Sequence, residues 1–172
     1  MPLPASQPAS LSTRLPRRIA ALALAASLLG LSACSSGPVR RVSEPTASIQ
    51  QLSVRADGQW DVQLRLQNYS SVPMRFDRTA LALAFDNGPA ARLDLQPGID
   101  IGPESADVVN ATLAPLPAGR ARIAGALADG HGLSYTLSGS IDATPQDGKQ
   151  KSWTIKRESA LSPVPGLPGA LR

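Results

Sequence analysis

The sequence predicts an all-β protein: an antiparallel β-sandwich that is preceded by a signal peptide and a tether. Apolar and polar residues alternate in several short runs, which is the pattern of a strand with one buried face. Dipeptides that favour tight turns separate these runs. After the first 33 residues, no segment has a convincing helical period. Many short strands with turns at intervals are typical of a sandwich.

The first 33 residues have the layout of a secretory signal peptide. Three arginines between positions 14 and 18 precede Ile19–Leu31, an uncharged apolar run that is shorter than the ~20 residues of a spanning helix. The next segment, "LSAC", ends at Cys34 and resembles the bacterial lipobox. In that family the cysteine is acylated on sulfur and the signal is cleaved just before it. The resemblance implies that Cys34 carries lipid; a buried structural cysteine and a free thiol are the alternatives.

Lipid on Cys34 would anchor the protein to a membrane. Acyl chains such as palmitate contribute about 0.8 kcal/mol per buried CH₂, so two or three chains hold firmly. In enterobacterial lipoproteins an aspartate after the cysteine favours the inner membrane. Ser35 stands at that position, which implies the outer membrane and a periplasm-facing domain. Because all 13 acidic residues follow the signal and three of the 17 basic ones lie in it, the remainder is nearly neutral, and we expect no nucleic-acid partner.

The elements follow in order along the chain. Residues 34–46 are polar and turn-rich and are predicted to be a tether, and residues 47–160 are predicted to be the sandwich domain. The clearest strand is 59–67, in which Trp60 begins a strict apolar–polar alternation. The other predicted strands are 79–85, 106–114, 133–142 and 152–156, and the predicted hairpin turns are Asp57-Gly58, Asn87-Gly88, Asp129-Gly130 and Asp147-Gly148.

Two segments depart from this strand pattern. Residues 118–128 are a weak helix candidate, because their alanines favour a helix whereas Gly119 and Gly125 oppose it. Residues 161–172 are rich in proline, and we expect this tail to be disordered.

A central stretch, Val62–Phe85, resembles the core signature of the group 2 late-embryogenesis-abundant family, also called the water-stress and hypersensitive-response domain. Asn68 matches the first residue of that family's Asn-Pro-Asn turn, although Tyr69-Ser70 replaces the other two residues. The resemblance spans roughly residues 48–156. It implies a small immunoglobulin-like sandwich without a cofactor or a known active site.

Few residues could support catalysis. The only histidine, His131, lies between two glycines, which is typical of an exposed turn. Asp100, Glu104 and Asp107 could approach one another, but their spacing is not that of a calcium loop. We therefore expect no enzymatic activity, no catalytic residue, no metal site and no cofactor.

The sequence thus predicts a lipid-anchored, non-enzymatic envelope protein whose sandwich is a binding or stress-protective module. The alternative is an accessory lipoprotein of an envelope transport or secretion complex, which would bind an envelope protein through a sheet edge or the proline-rich tail. The aromatic residues also allow two interpretations. Trp60 and Trp153 either lie in the core or, with Tyr69 and Tyr135, form a platform for a ligand; the buried tryptophans of many sandwiches favour the core.

Overall fold

Nine β-strands and one helix make up the part of the chain that the structure, a computed structural model, describes: residues 40–172. The predicted signal peptide (1–33), Cys34 and the first residues of the predicted tether lie outside this range. In chain order the elements are β1 (Thr46–Val54), β2 (Trp60–Gln67), β3 (Met74–Phe85), β4 (Gly88–Leu95), β5 (Ile99–Ile101), β6 (Ala106–Leu113), α1 (Pro117–Asp129), β7 (Leu133–Pro145), β8 (Lys151–Leu161) and β9 (Ala170–Leu171).

The strands form two antiparallel sheets. Sheet A has four strands in the order β6-β2-β1-β9, and sheet B has five, in the order β4-β3-β7-β8 with β5 also paired to β3. Three of the predicted turns join neighbouring strands: Asp57-Gly58 joins β1 to β2, Asn87-Gly88 joins β3 to β4, and Asp147-Gly148 joins β7 to β8. Each turn contains the positive φ that a tight hairpin requires, at Gly58, at Asp147 and, between β3 and β4, at both Asp86 and Asn87. Every predicted strand overlaps an observed one.

The two sheets pack face to face around one apolar core. In β2 the apolar residues that begin with Trp60 are buried, and the polar residues between them point outward. The Trp60 ring lies 5.9 Å from the ring of Phe85 on the other sheet, measured between centroids. A hydrogen bond also joins the sheets, because the backbone N–H of Ile49 donates to Oη of Tyr135 at 3.0 Å. These contacts confirm the all-β antiparallel sandwich.

The weak helix candidate is a helix in the structure. It begins at Pro117, a residue that suits the first helical position, and ends at Gly130, whose φ of 65° gives a left-handed cap. The prediction of a hairpin turn at Asp129-Gly130 is therefore wrong, since this dipeptide ends α1. Gly119 lets the helix approach β4, because a Cβ there would lie 2.7 Å from Cα of Ala90, whereas a Cβ on Gly125 would meet nothing within 4 Å.

The tail is ordered, so the prediction of disorder over 161–172 and the domain boundary at residue 160 are wrong. Leu161 ends β8 and is buried, and Leu171 in β9 pairs with Leu52 of β1. Two backbone hydrogen bonds between Ser162 and Arg172, of 2.7 and 2.9 Å, close the segment. Pro163 forms an isolated bridge with Leu171, and Pro165 and Pro168 lie in turns that return the chain to sheet A, where Leu171 fills the core. No helix within residues 40–172 combines the length and hydropathy that crossing a bilayer requires.

Candidate functional site

One end of the sandwich receives the amino-terminal segment of the described chain. We call it the Asn68 end; it comprises residues 40–43, the β2–β3 loop (68–73), the β5–β6 loop (102–105) and the β7–β8 turn (146–148). Polar side chains from all four segments meet here. It is the part of the described structure that lies nearest, along the chain, to the predicted lipidation site at Cys34.

Asn68 holds the loops of this end together. Its side chain is fully buried, and its Nδ2 donates to the carbonyl oxygens of Val72 at 2.9 Å, Ile101 at 3.1 Å and Gly102 at 2.9 Å. Its Oδ1 accepts a hydrogen bond of 2.8 Å from the backbone N–H of Ser70. A buried amide is stable only when its polar atoms are satisfied, and here all of them are. The sequence predicted only a turn residue at this position.

The amino-terminal segment docks on the adjacent serines. The backbone N–H of Ser43 donates to Oγ of Ser70 at 2.9 Å, and the backbone N–H of Arg41 donates to Oγ of Ser71 at 2.8 Å. The N–H of Ser71 returns a bond of 3.0 Å to the carbonyl oxygen of Arg41. The last residues of the predicted tether (34–46) are therefore part of the folded unit, because loop hydroxyls satisfy their backbone groups.

Two arginines add ion pairs at this end. Arg40 lies 3.5 Å from a carboxylate oxygen of Asp147 and donates to the carbonyl oxygen of Gln146, and Arg41 lies 2.9 Å from a carboxylate oxygen of Glu104. All of these side chains are exposed, so solvent screens the charges and each pair contributes only about 0–1 kcal/mol. The backbone bonds, rather than the ion pairs, fix where the segment leaves the domain.

The three carboxylates that could have formed a calcium site face different partners. Asp100 pairs with Arg75 at 3.7 Å, Glu104 pairs with Arg41, and Asp107 accepts a hydrogen bond from the backbone N–H of Val108. Within residues 40–172 the structure brings together no group of three His, Cys, Asp or Glu side chains suited to a metal ion.

The remaining candidate residues take separate positions. Trp60 and Trp153 are buried, which confirms the core interpretation of these two rings, whereas Tyr69 is exposed at the Asn68 end. Tyr135 is buried with its hydroxyl bonded across the sheets. His131 is exposed just beyond α1, with Nδ1 3.8 Å from a carboxylate oxygen of Asp129.

The outer face of sheet A carries a polar surface that the sequence did not reveal. Strand register aligns Gln51, Gln63 and Asn110 in one row across β1, β2 and β6, and aligns Ser53, Asp61 and Thr112 in the next. These rows line a shallow cavity of about 290 Å³. The alternation in β2 predicted outward polar residues, but only the pairing of three strands shows that they form rows.

Within this polar surface Asp61 is the charged group. Oγ1 of Thr112 donates to its carboxylate at 2.7 Å, and the guanidinium of Arg55 lies 3.4 Å away. The hydrogen bond from Thr112, followed by those interactions with Arg55, lowers the pKa of Asp61 below its ordinary value. The carboxylate is therefore ionised at neutral pH and acts as a hydrogen-bond acceptor.

No family model matches the chain, and no curated protein matches it. Solved structures that resemble it include a protein from Archaeoglobus fulgidus, with a TM-score of 0.41 and 15% identity over 72% of this chain and 98% of that one. A protein from Arabidopsis thaliana has a TM-score of 0.40 and 14% identity over 73% of this chain and 81% of that one. Neither likeness indicates a function for this chain.

Proposed function

We propose that this protein is a lipid-anchored, non-enzymatic component of the bacterial envelope, attached through Cys34 to the outer membrane and facing the periplasm. Its sandwich, which resembles the group 2 late-embryogenesis-abundant domain, acts as a binding or stress-protective module. The observation that carries the proposal is the order of features: a cationic segment, an apolar run, "LSAC", and a folded unit whose described part begins at Arg40.

The chain length between Cys34 and Arg40 sets the position of the sandwich relative to the bilayer. Six peptide units at about 3.3–3.6 Å each reach roughly 20 Å at most. Because hydrogen bonds hold Arg41 and Ser43 on the loops, these residues add nothing to that reach. The proposal therefore turns the Asn68 end toward the membrane and α1 away from it.

The polar groups favour binding over catalysis. At the Asn68 end, the Asn68 amide and the Ser70 hydroxyl hold backbone groups, which is a structural task. On the outer face of sheet A, the rows of Gln51–Gln63–Asn110 and Ser53–Asp61–Thr112 offer donors and acceptors toward solvent. A surface of this kind suits the hydrogen-bonding groups of a polar partner.

Radiolabelled palmitate in growing cells tests the anchor. We expect label in the wild-type protein and in the control Ser36→Ala, and none in Cys34→Ser, because a serine oxygen does not replace the acylated sulfur. Density-gradient separation of the two membranes then tests localisation. The wild-type protein should be found in the outer-membrane fraction. In an enterobacterial host, Ser35→Asp should shift the protein toward the inner-membrane fraction. Equal label in Cys34→Ser, or a wholly soluble wild type, would refute the proposal.

The second candidate function, an accessory lipoprotein of a transport or secretion complex, is favoured by one edge strand. β6 forms one edge of sheet A and pairs only with β2 among the described residues. Edge strands are usually protected by lysine or proline, and β6 has neither, whereas β8 at an edge of sheet B carries Lys151, Lys156 and Arg157. An extended segment of a partner could add to β6.

Crosslinking in intact cells, followed by purification from solubilised envelopes, separates the two functions. A benzophenone amino acid placed at Asn110 in β6 reports a strand-adding partner, and the same group at Thr154 in β8 is the control. One crosslinked protein at stoichiometric yield from β6 alone favours the accessory lipoprotein. A free-standing module gives no such product.

A further inference from the structure

The end of the sandwich opposite to the Asn68 end contains an apolar slot. It lies between the β1–β2 hairpin and α1, and its volume is about 250 Å³. The residues that line it are Val54, Gly58, Trp60, Arg120, Ile123, Ala124 and Leu127. We call it the helix-end slot. All of its lining side chains are apolar except that of Arg120.

The helix determines the shape of the slot. Its lining positions 120, 123, 124 and 127 follow the spacing of a single helix face, and seven residues of helix extend about 10 Å. Trp60 and Ile123 are buried and form the floor. Val54 is 36% exposed, and a Cβ on Gly58 would meet nothing within 4 Å, so the slot opens to solvent at the hairpin.

Arg120 gives the slot one charged end. Within residues 40–172 its guanidinium has no carboxylate within ion-pair distance, whereas Arg122 on the same helix pairs with Asp86 at 3.1 Å. Arg120 also lies near the amino terminus of α1, and the first turn of that helix contains no acidic residue. The amino terminus of a helix carries partial positive charge, so both groups favour an anion at this end.

We propose that the helix-end slot binds an amphiphilic carboxylate, with the acyl chain along the apolar face of α1 and the carboxylate on Arg120. A slot with apolar walls and a single cation at one end complements a molecule that has an apolar chain and a single terminal anion. A neutral chain lacks the anion, and a peptide would bring backbone polar groups that these walls cannot satisfy. The proposal goes beyond envelope anchoring, because the slot requires neither Cys34 nor a membrane.

Decanoate is the probe, kept below its micelle concentration. The protein is the chain from residue 34 with Cys34→Ser, which retains every residue that the structure describes and needs no detergent. Calorimetric titration should show saturable binding, and affinity should rise about fourfold per added methylene from hexanoate to decanoate. In a Trp153→Phe background, Trp60 emission should change with the same midpoint, since Trp60 lines the slot.

Two variants with matched controls test the assignment. Arg120→Gln should lower the affinity for decanoate about tenfold, which is the usual effect of losing one charge-assisted contact. The same variant and the wild-type protein should bind 1-decanol with equal affinity. Arg65→Gln, which removes a charge from the outer face of sheet A, should bind normally. Ala124→Leu should fill the slot and abolish binding, whereas Ala121→Leu, an exposed position outside the slot, should retain it.

Thermal melts of the four variants show that each is folded. The proposal is overturned if decanoate gives no saturable heat, if decanoate and 1-decanol bind equally well to wild type, or if Ala124→Leu binds like Ala121→Leu.

Discussion

Leu171 provides the sharpest test of the ordered tail. Its side chain is 0% exposed, and it pairs across the sheet with Leu52, which is also 0% exposed. Leu171→Ala removes the branched part of that side chain and leaves Leu52 facing a cavity. We expect the variant to be folded and less stable than wild type by about 3 kcal/mol.

The magnitude follows from burial. Leu→Ala substitutions at fully buried sites cost about 2–5 kcal/mol, and the lower half of this range applies where the surrounding chain can collapse into the space. β9 contains two residues and is preceded by turns, so it can relax more than a central strand. A loss of 3 kcal/mol is a large part of the roughly 5–15 kcal/mol that stabilises a domain. It corresponds to a fall in Tm of roughly 10 °C.

Urea denaturation and thermal melts of the chain from residue 34, with Cys34→Ser, measure the effect. Leu167→Ala is the matched control, because Leu167 belongs to the same tail but is 49% exposed, and it should change stability by less than about 0.5 kcal/mol. Equal stability of Leu171→Ala and Leu167→Ala would refute the packing of β9. Deletion of residues 162–172 should cost more than Leu171→Ala, since it also removes the backbone bonds of β9.

Three further predictions use the same assays. Trp60→Ala should cost about 3–5 kcal/mol because the ring is buried, and a loss below about 1 kcal/mol would place the ring at the surface. Gly119→Ala should destabilise by at least about 1–3 kcal/mol through overlap with β4, whereas Gly125→Ala should stabilise by about 0.5–1 kcal/mol; changes of equal sign would contradict the fit of α1. Folding lowers the pKa of Asp61, so its ionised carboxylate stabilises the folded state. This stabilisation is present above the pKa of Asp61 in the unfolded chain and is lost as the pH falls through its pKa in the folded chain. Tm should therefore decline below pH about 4, less steeply in Thr112→Val, and identical declines would exclude the Thr112 hydrogen bond as the cause.

The sequence predicted the strands whose faces differ in polarity. In β2, burial alternates residue by residue, so the period of two was visible. In β1, the register shifts between Ile49 and Gln51, which breaks the alternation and hides the strand. In β4, Ala90 and Ala91 are adjacent and both buried, because this strand has one extra residue where it pairs with Leu83 and Ala84 of β3. In both strands one extra residue interrupts the period of two on which the prediction depended.

The helix was predicted only as a weak candidate, and the tail was predicted wrongly. Half of the exposed positions of α1 are alanine, so it lacks the contrast between faces that a periodicity search requires. The prolines of the tail suggested disorder, although Pro165 and Pro168 occupy turns, Pro163 forms a bridge with Leu171, and two residues that pack, Ala170 and Leu171, follow them. Of the candidate site, the sequence located Asn68 at a turn, but two of its three carbonyl partners, Ile101 and Gly102, lie more than 30 residues further along the chain.

The position of β9 beside β1 affects how the protein is made. β1 is the first strand of the described chain and β9 is the last, so Leu52 lacks its neighbour until residues 170–171 have been synthesised. At about 5–20 residues per second, the ribosome adds the intervening chain over several seconds, during which that part of β1 stays open. Until then, the apolar side chain of Leu52 has no neighbour on that side of β1, so the last residues to be made complete the core at the first strand to be made.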